Sequence, residues 1–233
     1  RLTMYTKKEN TQEVIIGLEA LHDRFKFEVK YLREYLDFSK ESVEERAENL
    51  ADKIYADTLE NPDLETMLQE MYEQEHKAIS SYLYHSSIVL VYIVLESTLA
   101  QICTELKVTA KIPFSYDEVS GGGNIMKALN YLKMVSSLPK TELEKITPKF
   151  GKFQQLRNSI AHKNGRFSGK NAAAIDKQRK LFVEGFPGLE LSSDEMQFFI
   201  MSSESVEQFI ALVEKAVELV VSHIKEQTFV VKS

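Results

Sequence analysis

Tryptophan is absent from the 233 residues, cysteine occurs once, and proline and glycine together number only 14. The single cysteine, Cys103, excludes an intramolecular disulfide framework. Nothing resembles a secretion signal. The longest apolar run, Ile88 to Leu95, is far shorter than the roughly 20 residues that span a bilayer. These absences predict a cytoplasmic protein with no membrane partner. The chain opens at Arg1 rather than methionine, the start expected of a processed or truncated product. The five histidines (22, 76, 85, 162 and 223) and the lone cysteine show no zinc-ligand spacing, so no metal or other cofactor is expected. Gly121–Gly123 lacks the Gly-Lys-Ser/Thr ending of a phosphate-binding loop and reads as a hinge.

Hydrophobic residues make up 43% and charged residues 27%, which places the chain among globular proteins rather than disordered ones. With few helix breakers and abundant Leu, Glu, Lys and Ala, the expected fold class is mainly all-α. Val14, Leu18, Leu21, Phe25, Val29, Leu32 and Leu36 recur at spacings of four and three, predicting an amphipathic helix over 12–38 with its seam in the core. Ser42 and Glu45 have capping-box spacing and predict a second helix to about residue 59. Asn61-Pro62 reads as the start of a third. That helix, or a successor beginning near Ser80, leads into 82–106, where the apolar run predicts burial on all sides. Glu96 follows the run directly, and such a carboxylate needs a donor, a cation or a cavity edge.

A short helix is expected over 124–136, and another from Thr147-Pro148 to Asn164-Gly165. Strands are predicted at 181–184, 189–191 and 197–201, and a final amphipathic helix over 204–226. The organisation expected is an N-terminal helical extension over 1–79, a helical domain over 80–226 and a tail over 227–233.

Charge is unevenly distributed. Residues 1–79 carry an acidic excess, whereas from Lys149 to Lys180 nine basic residues face one acid, Asp176, although the whole chain has net charge −6. Such an inversion marks a local anion site. Within it lies Arg157-Asn158-Ser159-Ile160-Ala161-His162. On a helix Asn158 and His162 share a face, and the long stem of Arg157 can swing its planar donor fork toward them. An imidazole moves protons near neutral pH, and a helix C-terminus favours its protonated form, which suits a general acid or a phosphate ligand. A phosphodiester in RNA carries its own nucleophile, the 2′-OH, so cleavage at such a site needs no metal.

The string Arg-Asn-x-x-Ala-His, after an aromatic-rich helix start and followed by basic residues, resembles the Arg-x4–6-His motif of the HEPN domains. The upstream segment SSIVLVYIVLESTLAQIC, with its Leu95-Glu96 pair, resembles the central helix of that family. The resemblance covers roughly 80–226. It implies a HEPN-like helical bundle that dimerises to bring two motif copies into one cleft; the extra N-terminal helices and the small hairpin insertion near 181–201 depart from that minimal bundle. It also implies a metal-independent endoribonuclease of toxin, phage-defence or RNA-processing type. Arg157 would then hold the scissile phosphate, His162 would transfer the proton, and Asn158 would orient substrate or imidazole. Glu96 would support from the neighbouring helix, while Lys149, Lys152, Lys163 and Arg166 would bind the RNA backbone. The partners implied are an RNA substrate, a second copy of the chain, and an antitoxin or other regulator. Some members of the family are catalytically silent RNA-, nucleotide- or protein-binding modules, which keeps that reading open here.

Overall fold

The computed structural model describes residues 10–136 and 138–229. The fold is mainly helical: α1 (Asn10–Glu60), α2 (Glu65–Thr109), α3 (Asn124–Ser136), α4 (Lys140–Lys163), α5 (Ala172–Gly185), an antiparallel hairpin of β1 (Leu189–Leu191) and β2 (Phe198–Ile200), and α6 (Glu204–Phe229). The hairpin register pairs Leu189 with Ile200 and Leu191 with Phe198.

Several boundaries differ from those expected. The seam residues of α1 are buried, Leu21 only partly, as a core stripe should be. But α1 does not stop near Phe38. The Ser42 hydroxyl donates to the carbonyl of Phe38 at 2.8 Å, and that of Ser39 to Tyr35 at 2.8 Å. Both serines therefore bond back within a continuing helix instead of capping a new one. Likewise α2 runs without interruption, so the expected boundary at 79/80 falls inside a helix. Its apolar run is not covered all round, because Leu90 and Ile93 are 38% and 48% exposed. The segment Pro62–Thr109 is long and apolar enough to cross a membrane by length and composition, yet half of its most apolar window is buried within the protein, as in a core helix.

Pro148 lies inside α4 and does not begin it. A proline removes one N–H from the helical ladder, but the buried stripe Leu143, Ile146, Phe150, Phe153 and Leu156 runs through it and holds the turns together. Residues 181–184 belong to α5, not to a strand. Asn171 caps that helix by accepting from the N–H of Ala174 at 3.0 Å, and Phe182 is its buried anchor. The predicted tail over 227–233 is in part the end of α6, and residues 230–233 lie outside the described residues.

By its contacts the chain forms two compact units, and α1, α2, α4 and α6 each contribute a segment to both. Among the described residues the first comprises 10–31, 91–136, 138–153 and 209–229. Its interior includes Phe153 stacked on Phe209 at a centroid distance of 4.1 Å, with Tyr92 tilted against the same ring. His22 meets Glu218 at 2.9 Å, and a ring nitrogen of His223 reaches the carbonyl of Ser136 at 3.1 Å. Cys103 is buried, and burial pushes its thiol pKa up.

The second unit comprises residues 32–90 and 154–208. Phe167, Phe182, Phe186 and Phe198 form its aromatic centre, with ring centroids 5.4 to 5.8 Å apart. His85 packs edge-on against Phe198. A Lys40–Glu207 contact of 2.6 Å ties α1 to the start of α6 within this unit.

Candidate functional site

The hexapeptide occupies the last turns of α4, within the second unit. Its inward residue is Ser159, which is buried and whose hydroxyl accepts from the Gln178 side chain on α5 at 2.9 Å. Burial of Ser159 fixes which way the rest of the segment points. Arg157 and Asn158 sit half-buried on the flanks, and Ala161, His162 and Lys163 are exposed at the end. Arg157 and His162 are about 140° apart around the helix and about 7.5 Å apart along it. Nη1 of Arg157 nevertheless donates to Oδ1 of Asn158 at 3.1 Å. The guanidinium is thus turned toward the side that Asn158 and His162 share.

The helix ends where it was expected to, and the structure supplies the reason. Asn164 and Gly165 adopt positive φ, 50° and 75°. The N–H of Asn164 still bonds to Ile160, while that of Gly165 reaches back to Ser159, at 3.1 Å each. Gly165 is then held against the hairpin: Phe198 N–H donates to its carbonyl at 2.9 Å, and Phe167 N–H donates to Met196 at 2.9 Å. The Asn164 side chain donates to the Tyr82 hydroxyl on α2 at 3.2 Å, and the Gln197 side chain donates to the Asn164 carbonyl at 3.3 Å. The end of α4 is therefore clamped by α2, α5 and the hairpin. Tyr82, Gln178 and Gln197 escaped the sequence reading because each lies far from the motif in the chain and belongs to no recognisable spacing.

The remaining candidates are spread between the two units. Lys163 follows His162 directly, and Lys149 and Lys152 are exposed on the part of α4 that belongs to the first unit. Glu96 also belongs to the first unit, where its carboxylate accepts from the Asn124 side chain at the start of α3. That contact supplies the donor such a carboxylate needs. Arg166 opens into a cleft of the second unit that is also lined by Glu70, Glu73 and Asp194. Part of the basic segment is neutralised locally, because Arg179 pairs with Asp176 at 2.7 Å and with Glu195.

Beneath the site His85 is buried, its Nε2 3.0 Å from the Ser81 hydroxyl, which itself accepts from the N–H of Ile200 at 3.1 Å. Desolvation lowers the His85 pKa from 6.5 to about 4, so the imidazole is neutral near pH 7. Its Cε1 lies 3.2 Å from where a Cβ on Gly165 would stand, so His85 packs under the helix end rather than facing solvent. Among the described residues no group of three or more His, Cys, Asp or Glu side chains is arranged to hold a metal ion.

The geometry offers an exposed imidazole, a guanidinium directed to its side of the helix, an adjacent lysine and a rigidly held helix end. It can bind an anion and move a proton beside it. Comparison of the chain with family models, with curated proteins and with solved structures finds no match.

Proposed function

We propose that this chain is a metal-independent endoribonuclease of HEPN type whose active site is built on the end of α4. The observation that carries the reading is the Arg157–Asn158 hydrogen bond, which directs the guanidinium toward the side of the exposed His162. In the reaction the substrate's 2′-oxygen attacks the adjacent phosphorus and the bond to the 5′-oxygen breaks. The products are a cyclic phosphate and a 5′-hydroxyl. One imidazole takes the 2′-OH proton, and a proton is returned to the leaving oxygen. Arg157 stabilises the charge gathering on the phosphate oxygens. Asn158 orients the imidazole or the substrate and Lys163 follows the backbone, whereas Arg166, set among Glu70, Glu73 and Asp194, is left out of the RNA contact.

The two transfers, at opposite ends of the scissile bond, suit two histidines, so the working form is a homodimer with one motif from each copy. Unpaired RNA is the substrate class, because its bases can be splayed away from the cut. The biological setting is a cytoplasmic toxin or anti-phage effector restrained by an antitoxin or another regulator.

A second reading is a catalytically silent RNA- or protein-binding module. It draws on the half-burial of Arg157 and on the carboxylates that surround Arg166. An RNase assay in EDTA separates the two. Wild type should cut single-stranded RNA, and His162→Ala and Arg157→Ala should each lose at least about a hundredfold in rate. Activity retained in both variants removes the proposed site. Binding without cleavage by the wild type selects the silent module.

A further inference from the structure

The second unit carries a further surface, on α2 and the hairpin, that meets the α4 end through Arg166, Met196 and Gln197. Met67 and Met71 on α2 are 56% and 50% exposed. Met67, Met71, Gln74 and Ala78 follow one another at spacings of four, three and four, so they form one stripe about 16 Å long. Gln74 and Ala78 line the cleft of about 570 Å³ between α2 and the β1–β2 hairpin, so the stripe runs into that cleft. On the hairpin side the cleft is walled by Leu191, Phe199 and Met196, the last 40% exposed. Methionine is flexible and polarisable and adapts to the shape of an apolar partner.

The charge around this cleft is mostly negative. From Asp63 to Glu75 there are five carboxylates and no Lys or Arg. Glu70 and Glu73 reach the cleft from α2, and Asp194 reaches it from the hairpin. Hydrogen bonds from the Ser192 hydroxyl and the Met196 N–H hold Asp194 below its ordinary pKa, so it is ionised near neutral pH. Of the two cations there, Lys77 is already matched by Glu190 at 3.3 Å, leaving Arg166 against three acids. A polyanion such as RNA is repelled by that balance.

We propose that the Met67–Met71 stripe and the cleft it enters form a docking groove for a cationic amphipathic helix of a partner polypeptide. Met67, Met71, Ala78 and the hairpin wall of Leu191, Met196 and Phe199 offer contacts to the apolar face of such a helix, and the carboxylates on the rim match Lys and Arg on its flanks.

The test measures anisotropy of a fluorescent Leu/Lys peptide of about five helical turns with the full chain. A shuffled peptide of the same composition and a single-stranded RNA oligonucleotide serve as comparisons. Saturable binding of the amphipathic peptide is expected, with the shuffled peptide at least about tenfold weaker, a difference of about 1.4 kcal/mol. Met67→Glu/Met71→Glu and Glu70→Lys/Glu73→Lys should each weaken it by a similar factor. Met196→Glu probes the hairpin wall independently. All these positions are exposed, and matching circular-dichroism melts confirm that the variants fold. Absence of peptide binding, equal binding of the shuffled peptide, or affinity unchanged in the methionine variants overturns the proposal. So does displacement of the peptide by RNA in an Arg166-dependent way, which would make the cleft a nucleic-acid site.

Discussion

His162 and His85 occupy opposite environments in the same unit. His162 stands exposed at a helix end, whereas His85 is 5% exposed against Phe198. Desolvation lowers the folded-state pKa of His85 from 6.5 to about 4, so between those values the unfolded chain binds a proton that the folded chain does not. Stability therefore rises with pH through that window, is fully present above pH 6.5 and is lost as pH falls toward 4. The contribution is on the order of 3 kcal/mol. Denaturant titrations at several pH values should show a shallower acid slope for His85→Gln than for wild type. An unchanged slope would remove His85 as its source. Cys103 gives a second measurement at this scale. Its thiol is buried and its pKa pushed up, so alkylation of the native protein at neutral pH should be slow and should become rapid in denaturant, as followed by mass spectrometry.

The helices themselves depend on a few positions that periodicity does not distinguish. Gly165 and Gly151 both lie in the α4 region, yet they should respond oppositely to alanine. At Gly165 φ is +75°, and an added Cβ would stand 2.9 Å from the carbonyl oxygen of Phe198 and 3.2 Å from His85. Gly165→Ala should lower stability by at least about 1–2 kcal/mol. Gly151 lies inside α4 with nothing within 4 Å of its Cβ position, and Gly151→Ala should raise stability by about 0.5–1 kcal/mol. Thermal melts of the two variants test the pair, and shifts of the same sign would refute the clamped helix end. The apolar patterns of α1 and α6 were legible because burial follows the helical repeat. The continuity of α1 and the helical state of 181–184 were not. A serine that caps and a serine that bonds back to the preceding turn look alike in sequence, and a short apolar run suits either a strand or a helix.

For the molecule as a whole, the proposed composite site requires two chains. Sedimentation or light scattering should give twice the 26.7 kDa of one chain, and a strict monomer would leave only half of the proposed cleft. RNA binding should weaken steeply with salt, because the contacts proposed for Arg157 and Lys163 are to phosphates. A salt-independent affinity would contradict that assignment. The site itself was half legible. Arg157, Asn158 and His162 stood out as a motif, whereas the residues that clamp them come from α2, α5 and the hairpin.

The sequence by itself determined the mainly helical class, the buried stripes and the stop at Asn164-Gly165, since each depends on residues within a few positions of one another. Tertiary structure alone decided that Ser42 bonds back within a continuing helix, that His85 is a neutral core residue, and that Arg166 opens among carboxylates instead of onto a basic face. It also decided that two methionines of an acidic helix remain exposed beside a cleft. These outcomes depend on which distant segments meet, through desolvation and packing that no local pattern encodes.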